Sequence, residues 1–223
     1  MSENLVSLLK QSRQQFAHSP LFGKRDGQSW RWISYLQFDQ RVERAAAHLA
    51  RLGVGRGDRV AIVGDWCVEW AEVAHAACRR RASFVLVPTR LSLTEWLSIF
   101  RDCGAKLAFA TERLHYDALE TSRFESAGVE RVIGLSLPAE HPDSYSRWLA
   151  DAPSTAPEER TPNPDDIASR IYARSDGERP KGVGLSHRTL CQASASICQP
   201  SHCVRRTVGG ILSLRGLFAS AAA

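Results

Sequence analysis

Residues 58–64, which read DRVAIVG, decide the fold class of this chain. Their apolar centre is short and unbroken, which is typical of a strand that is buried on both faces of a sheet. Two similar runs follow at residues 83–88 (SFVLVP) and 106–110 (KLAFA), and helical patterns separate them at residues 66–79 and 92–103. Parallel strands need such crossovers. We therefore predict that the three strands lie side by side and run parallel, with the two helices packed against them.

The alternation of strands and helices continues on both sides of this centre. Upstream, the sequence predicts a helix over residues 4–16, a hairpin with Asp26-Gly27 at its turn, and a helix that begins with a capping box of Ser34 and Gln37. Downstream, it predicts a helix over 112–121, strands over 129–135 and 167–173, a short extended segment over 182–185, and a helix that begins after Ser186. The predicted fold is α/β, with a mainly parallel sheet that is covered by helices on both faces.

Composition narrows the class of protein. The 223 residues are 43% hydrophobic and 24% charged, which is ordinary for a globular protein and excludes wholesale disorder. No apolar run approaches the ~18 residues of a membrane helix, so we predict no transmembrane segment. The first residues lack the features of a signal peptide, and we expect a cytoplasmic protein.

Basic and sulfur-containing residues give no sign of nucleic-acid or metal binding. The densest basic cluster, residues 79–81, has no interleaved aromatic side chains, so we predict no nucleic-acid partner. Cys191, Cys198, His202 and Cys203 match no zinc-binding spacing, and the six cysteines include no Cys-x-x-Cys pair. We predict neither a metal site nor a disulfide framework.

The sequence divides into four segments. Residues 1–150 form the main α/β part, and residues 151–166, which are rich in proline and acids, are a surface linker. Residues 167–198 contain a strand, a polar loop and a helix, and residues 199–223 form a tail.

Two other motifs have structural explanations. Residues 53–57 (GVGRG) look like a dinucleotide fingerprint, but they follow a predicted helix and precede a strand, which is the reverse of the order that binds pyrophosphate. We predict a helix-to-strand turn. His48, His75 and His115 each lie in a predicted helix without a nucleophile or ligand partner nearby in sequence, so no catalytic residue is assigned.

Residues 171–183 (IYARSDGERPKGV) are the most informative segment for function. A strand, a polar loop and then Pro-Lys-Gly can offer backbone N–H groups and a lysine to phosphate oxygens, although the Walker spacing is absent. Taken alone, the segment favours a surface turn over a phosphate site. The candidate binding residues are Ser175, Asp176, Gly177, Glu178, Arg179, Pro180, Lys181 and Gly182.

The same segment resembles the phosphate-loop motif of the AMP-forming acyl-CoA synthetase and ligase superfamily. The matching residues are Ile171-Tyr172, then PKGV at 180–183, then LSHR at 185–188. In that superfamily the motif reads YTSGTTGxPKGV, and a helix follows that starts with SHRN. Segments 57–62, 68–71 and 95–106 are similar to the long-chain fatty-acid branch, so the resemblance covers about residues 15–195. The tail over residues 199–223 does not look like the superfamily's continuation, and we expect it to be a non-family tail.

The resemblance implies a fold, a reaction and ligands. The fold is the first part of the large N-terminal domain of an adenylate-forming enzyme. The implied reaction converts a fatty acid and ATP, with Mg²⁺, into an acyl-adenylate and pyrophosphate, and then into a thioester with coenzyme A. Residues 173–182 are the implied phosphate loop, and Lys181 is the implied contact to ATP phosphate.

The departures from the motif point towards an inactive chain. The stretch that reads TSGTTG in the superfamily reads ARSDGE at residues 173–178, and the carboxylates of Asp176 and Glu178 repel phosphate. The superfamily's other motifs come later in its members' sequences, beyond the stretch that these 223 residues match. We therefore expect an amino-terminal fragment with a degenerate phosphate loop that is inactive alone. The alternatives are a non-catalytic pseudoenzyme or binding module, and a degenerate gene product without function.

Overall fold

A computed structural model describes residues 4–26, 29–122, 127–153, 161–173 and 180–197. The strands are β1 (Pro20–Asp26), β2 (Ser29–Ser34), β3 (Arg59–Val63), β4 (Ser83–Val87), β5 (Leu107–Ala110), β6 (Arg131–Gly134), β7 (Ile167–Ala173) and β8 (Lys181–Ser186). The helices are α1 (Leu5–Phe16), α2 (Tyr35–Arg51), α3 (Val68–Arg79), α4 (Leu93–Cys103), α5 (Arg113–Thr121), α6 (Tyr145–Ala150) and α7 (His187–Ile197).

Six of the strands form one sheet in the order β6-β5-β3-β4-β7-β8. All neighbouring pairs in it are parallel except β7 and β8, which form an antiparallel hairpin. Strand β3 lies between β4 and β5, with Val60 opposite both Phe84 and Leu107. The prediction of three neighbouring parallel strands is confirmed, and so is the α/β fold class.

Alternate residues of the central strands enter two separate apolar cores, because successive side chains in a strand point to opposite faces. On one face, Val60 and Ile62 of β3 belong to a core that includes residues of α1, α2, α3, α6 and α7. On the other face, Ala61 and Val63 pack in a core that includes residues of α4 and α5. Helices therefore cover both faces of the sheet, as the sequence predicts.

Side-chain caps define where several helices begin. The capping box of Ser34 and Gln37 is present at α2, and a second one joins Ser92 and Glu95 at α4. Gly104 ends α4 with a φ of 60°, a conformation that glycine adopts without strain. Helix α3 begins at Val68, two residues later than predicted, because the Cys67 sulfur accepts the N–H of Trp70 and caps it there.

Buried ion pairs connect the helices of the larger core. Asp39 on α2 accepts hydrogen bonds from Arg13 on α1 and Arg79 on α3. Glu72 on α3 is fully buried and accepts from Arg41 at 2.5 Å and from the hydroxyl of Tyr145 at 2.9 Å. Burial raises the pKa of Glu72 in spite of these partners, and loss of one partner from such a buried charge strongly destabilises a fold.

Strands β1 and β2 form a two-stranded sheet of their own. Their antiparallel pairing confirms the predicted hairpin. The turn itself, at residues 27–28, lies outside the described residues. Part of the predicted linker, residues 154–160, also lies outside them. Within the described parts of the chain, no helix is long and apolar enough to span a bilayer.

A candidate phosphate-binding hairpin

The β7–β8 hairpin places the Pro-Lys-Gly segment at the carboxyl edge of the parallel sheet. Strand β7 runs parallel to β4, so both strands end at the same edge, and Ala173 at the end of β7 pairs with Lys181 at the start of β8. In open α/β sheets, ligands bind outside the carboxyl ends of the strands. The hairpin therefore carries Lys181 to the edge at which this class of fold binds ligands.

The structure describes only part of the predicted site. Lys181 and Gly182 are exposed at the start of β8, and Pro180 directly before them is partly buried. Ser175, Asp176, Gly177, Glu178 and Arg179 lie outside the described residues, so their roles in phosphate binding stay predictions. The described residues thus bring the lysine of the predicted site to the end of the hairpin.

Tyr172 packs against the backbone of Gly182, its partner across the hairpin. A Cβ atom built on Gly182 would lie 2.8 Å from Cζ of Tyr172, 3.0 Å from its hydroxyl oxygen and 3.1 Å from Cε1. The 2.8 Å approach is closer than real Cβ atoms show and the other two are tighter than most, so any side chain here would require the ring to shift. The glycine of Pro-Lys-Gly is required at this position for space.

The hydroxyl of Tyr172 donates a hydrogen bond of 2.5 Å to Oδ2 of Asp102, in the last turn of α4. Burial raises the pKa of Tyr172, and the bond to Asp102 raises it further, so the phenol stays protonated and acts as the donor. Two segments that the resemblance matched separately, around residues 95–106 and 171–183, thus meet through one bond. Sequence reasoning missed this contact, because nothing in either segment pairs an aspartate at 102 with a tyrosine at 172.

No metal-binding cluster occurs in the described part of the chain. Within residues 4–26, 29–122, 127–153, 161–173 and 180–197, no three His, Cys, Asp or Glu side chains form a group that could hold a metal ion. Cys191 is partly buried in α7, whereas Cys198, His202 and Cys203 lie outside the described residues. No step that involves Mg²⁺ is assigned to the described residues.

Two of the histidines and the glycine-rich turn have structural roles. Residues 53–57 connect α2 to β3, with Gly53 and Gly57 at positive φ, so the predicted helix-to-strand turn is confirmed. His48 stacks on Trp148, and its Nδ1 lies 2.7 Å from the carbonyl oxygen of the same residue. Burial is the largest cause that lowers the pKa of His48 to about 4 and that of His75 to about 3, so both rings are neutral at pH 7.

Comparison with known proteins decides the family. The AMP-binding enzyme family matches residues 9–213, which runs into the segment 199–223. The chain belongs to this family of adenylate-forming enzymes.

Its similarity extends to named relatives and solved structures. The chain is 26% identical over 160 residues to a fatty acid–[acyl-carrier-protein] ligase, ScoC, of Streptomyces coeruleorubidus, in a match that covers 72% of this chain and 29% of that protein. It is 25% identical to a fatty acyl-CoA synthetase of Mycobacterium tuberculosis, with a TM-score of 0.70 over 87% of this chain and 36% of that one. The N-terminal domain of FACL13 from the same organism, also 25% identical, gives a TM-score of 0.72 over 92% of this chain and 49% of that one. The chain thus spans less than half the length of each of these proteins.

Proposed function

We propose that these residues form the amino-terminal part of the adenylation domain of an ATP-dependent fatty-acid–CoA ligase. The position of Lys181, exposed at the carboxyl edge of the sheet, carries the proposal. The names of two similar proteins, a fatty acid–[acyl-carrier-protein] ligase and a fatty acyl-CoA synthetase, support fatty acid as the substrate class. The long-chain preference rests on the sequence resemblance alone and is part of the proposal.

In this proposal, Lys181 supplies a point charge to the phosphate oxygens of ATP, and residues 175–179 supply backbone N–H groups. The family's reaction joins a carboxylate to the α-phosphate and releases pyrophosphate, and the acyl group then passes to coenzyme A. Lys181 would neutralise phosphate charge during the first step. The proposal assigns no described residue to the Mg²⁺ that accompanies ATP in the family.

The segment boundaries and location belong to the same proposal. Residues 1–150 would be the α/β part of the domain, residues 151–166 a linker, residues 167–198 the phosphate-loop unit, and residues 199–223 a tail. Because β7 pairs with β4, the phosphate-loop unit is built into the same sheet as the first segment. We propose a cytoplasmic location.

The first test concerns the lysine. The chain has only four lysines, at positions 10, 24, 106 and 181, so acetylation of each can be followed separately by mass spectrometry. We expect millimolar MgATP to slow acetylation of Lys181 and to leave the other three lysines unchanged. Equal labelling of Lys181 with and without MgATP would contradict the proposed phosphate contact.

The second test concerns catalysis by the 223-residue chain alone. Because these residues span less than half of each compared protein, we expect no ATP–pyrophosphate exchange with fatty acids of any chain length. Exchange that is robust in the purified chain and lost in Lys181→Ala would show that the chain is a complete catalyst, contrary to this expectation.

A second candidate function is a non-catalytic module that binds a partner and no nucleotide. Asp176 and Glu178 favour it, because two acidic residues shortly before Lys181 in the sequence oppose the binding of phosphate. Under this alternative, MgATP protects none of the four lysines. The double variant Asp176→Asn/Glu178→Gln separates the two cases, since protection that appears only after the charges are removed would assign the loss of binding to those carboxylates.

A further inference from the structure

We infer that Tyr172 is a positioning residue for Lys181. Asp102 holds the ring of Tyr172 in place, and the ring packs against Gly182, the residue next to Lys181. The inference deepens the proposed function, because it concerns how the fold fixes the lysine that the proposal assigns to phosphate. It rests on contacts among described residues and needs no knowledge of the loop between β7 and β8.

The tyrosine is fixed at its hydroxyl. Its side chain is 4% exposed and packs in the core formed with α4 and α5. The hydroxyl donates to Oδ2 of Asp102 at 2.5 Å, and Asp102 lies on the exposed side of the last turn of α4. Because the raised pKa keeps the phenol protonated, this hydrogen bond to a carboxylate persists across neutral pH.

The ring of Tyr172 restricts which residue of β8 can pack against it. Side chains of Gly182 and Gly184 would occupy one face of β8, whereas Lys181 and Val183 project to the other face. A slip of one residue in the hairpin would place the side chain of Lys181 or Val183 against the ring, where the space for a Cβ is absent. The clamped ring therefore excludes these slips and holds Lys181 opposite Ala173.

The two glycines of β8 differ in a way that isolates this effect. A Cβ on Gly182 would lie 2.8 Å from the ring of Tyr172, which Asp102 holds. A Cβ on Gly184 would lie 3.3 Å from Cδ1 of Ile167, the end of a flexible and partly exposed side chain. Neither glycine has a positive φ, so alanine at either position tests space and leaves backbone strain out of the comparison.

The test measures the acetylation rate of each lysine in the full chain without nucleotide. We expect Tyr172→Phe, Asp102→Ala and Gly182→Ala each to change the rate at Lys181 by about fivefold, the scale set by loss of one hydrogen bond. Lys10, Lys24 and Lys106 should keep their wild-type rates. Asp102→Asn retains an acceptor for the phenol and should restore the wild-type rate at Lys181.

Two matched controls come from the same chain. Tyr116 donates to Asp143 at 3.0 Å, so Tyr116→Phe removes a similar bond from a tyrosine that does not contact β8 in the described contacts. Gly184→Ala adds the same methyl group two residues along β8. Both controls should leave Lys181 at its wild-type rate.

Two results would overturn the inference. One is an unchanged rate at Lys181 in Tyr172→Phe and Gly182→Ala when near-ultraviolet circular dichroism shows that both variants are folded. The other is a parallel change at all four lysines, which would show that Tyr172 supports the fold as a whole. If Tyr172→Phe does not fold, Asp102→Ala decides by the same two criteria. Protection by MgATP plays no part in these measurements, so the inference and the proposed function can fail separately.

Discussion

The central strands and the edge strand β8 differ sharply in burial although they share one sheet. All four side chains of β5 and four of five in both β3 and β4 are buried, whereas four of the six residues of β8 are exposed. In the centre, side chains that fill two apolar cores hold the strands in register. In the hairpin, the pairing of β7 with β8 sets the register, and we infer that the ring of Tyr172 over Gly182 excludes slips. The comparison teaches that the candidate site lies on an exposed strand at the edge of the sheet, whereas the fold is built around strands that two apolar cores enclose.

The largest effect is expected from truncation in the centre. Phe109 of β5 is fully buried and meets the rings of Trp148 at 5.6 Å and Tyr145 at 6.5 Å between centroids. We expect Phe109→Ala to lower the free energy of unfolding by about 3–5 kcal/mol, measured by urea denaturation. Val183→Ala, at a residue 56% exposed on β8, should change it by less than about 0.5 kcal/mol. Equal costs at the two positions would remove the proposed difference between centre and hairpin.

Acid should weaken the fold through three buried histidines. Burial lowers the pKa of His48 and His187 to about 4 and that of His75 to about 3. The unfolded chain binds protons near pH 6.5, so stability falls as the pH drops from there towards 4, by roughly 1 to 2 kcal/mol per histidine by pH 5. The raised pKa of Glu72 acts in the opposite direction.

Histidine proton resonances provide the measurement for this prediction. Of the seven histidines, these three should show no titration above pH 5 in the folded protein. His187 connects α7 to α1, because its Nδ1 accepts the N–H of Leu5 at 3.4 Å and loses this bond once protonated. Titration of His187 near pH 6.5 with the fold intact would show that this contact between α1 and α7 is weak.

A glycine in the centre should be more sensitive than a glycine in a turn. Gly64 follows β3 with a φ of 131°, and a Cβ there would overlap the side chain of Thr111. We expect Gly64→Ala to cost about 1–3 kcal/mol from backbone strain, with a further cost from the overlap. Gly55→Ala is the control, since no atom lies within 4 Å of its Cβ position, and it should be neutral or slightly stabilising in the same thermal unfolding assay.

The smallest effect is expected from the loop itself. If residues 173–178 are rewritten as TSGTTG, ATP affinity should rise little, because the resemblance implies that the superfamily's adenine and ribose contacts lie in later motifs than the stretch that these residues match. Isothermal titration calorimetry would measure the change. A micromolar affinity, about 8 kcal/mol of binding free energy, would show that these residues hold far more of a nucleotide site than the proposal assigns to them.

The sequence predicted the centre of the molecule well, because its strands are short apolar runs between capped helices. Helix α6 was missed, since six residues are too few to show a helical period, although Ser144 caps it through the N–H of Arg147. The order of the strands was also beyond the sequence, because the pairing of β7 with β4 depends on contacts across several intervening elements. For the site, the motif identified Lys181, but the bond between Asp102 and Tyr172 becomes visible only once α4 and β7 are folded together.

The place of β7 in the sheet has a consequence for the order of folding. Strands β3, β4, β5 and β6 are joined by successive helices, so they can pair while only local loops close. Between β4 and β7 the chain passes through β5, β6 and the helices α4, α5 and α6. The pairing of Phe84 with Ser169 therefore joins residues that are far apart in sequence. Closure of so long a loop carries a larger entropic cost and slows the step. We therefore expect a transient species in which the edge of β4 is open, and in which the hairpin that carries Lys181 is the last part of the sheet to assemble.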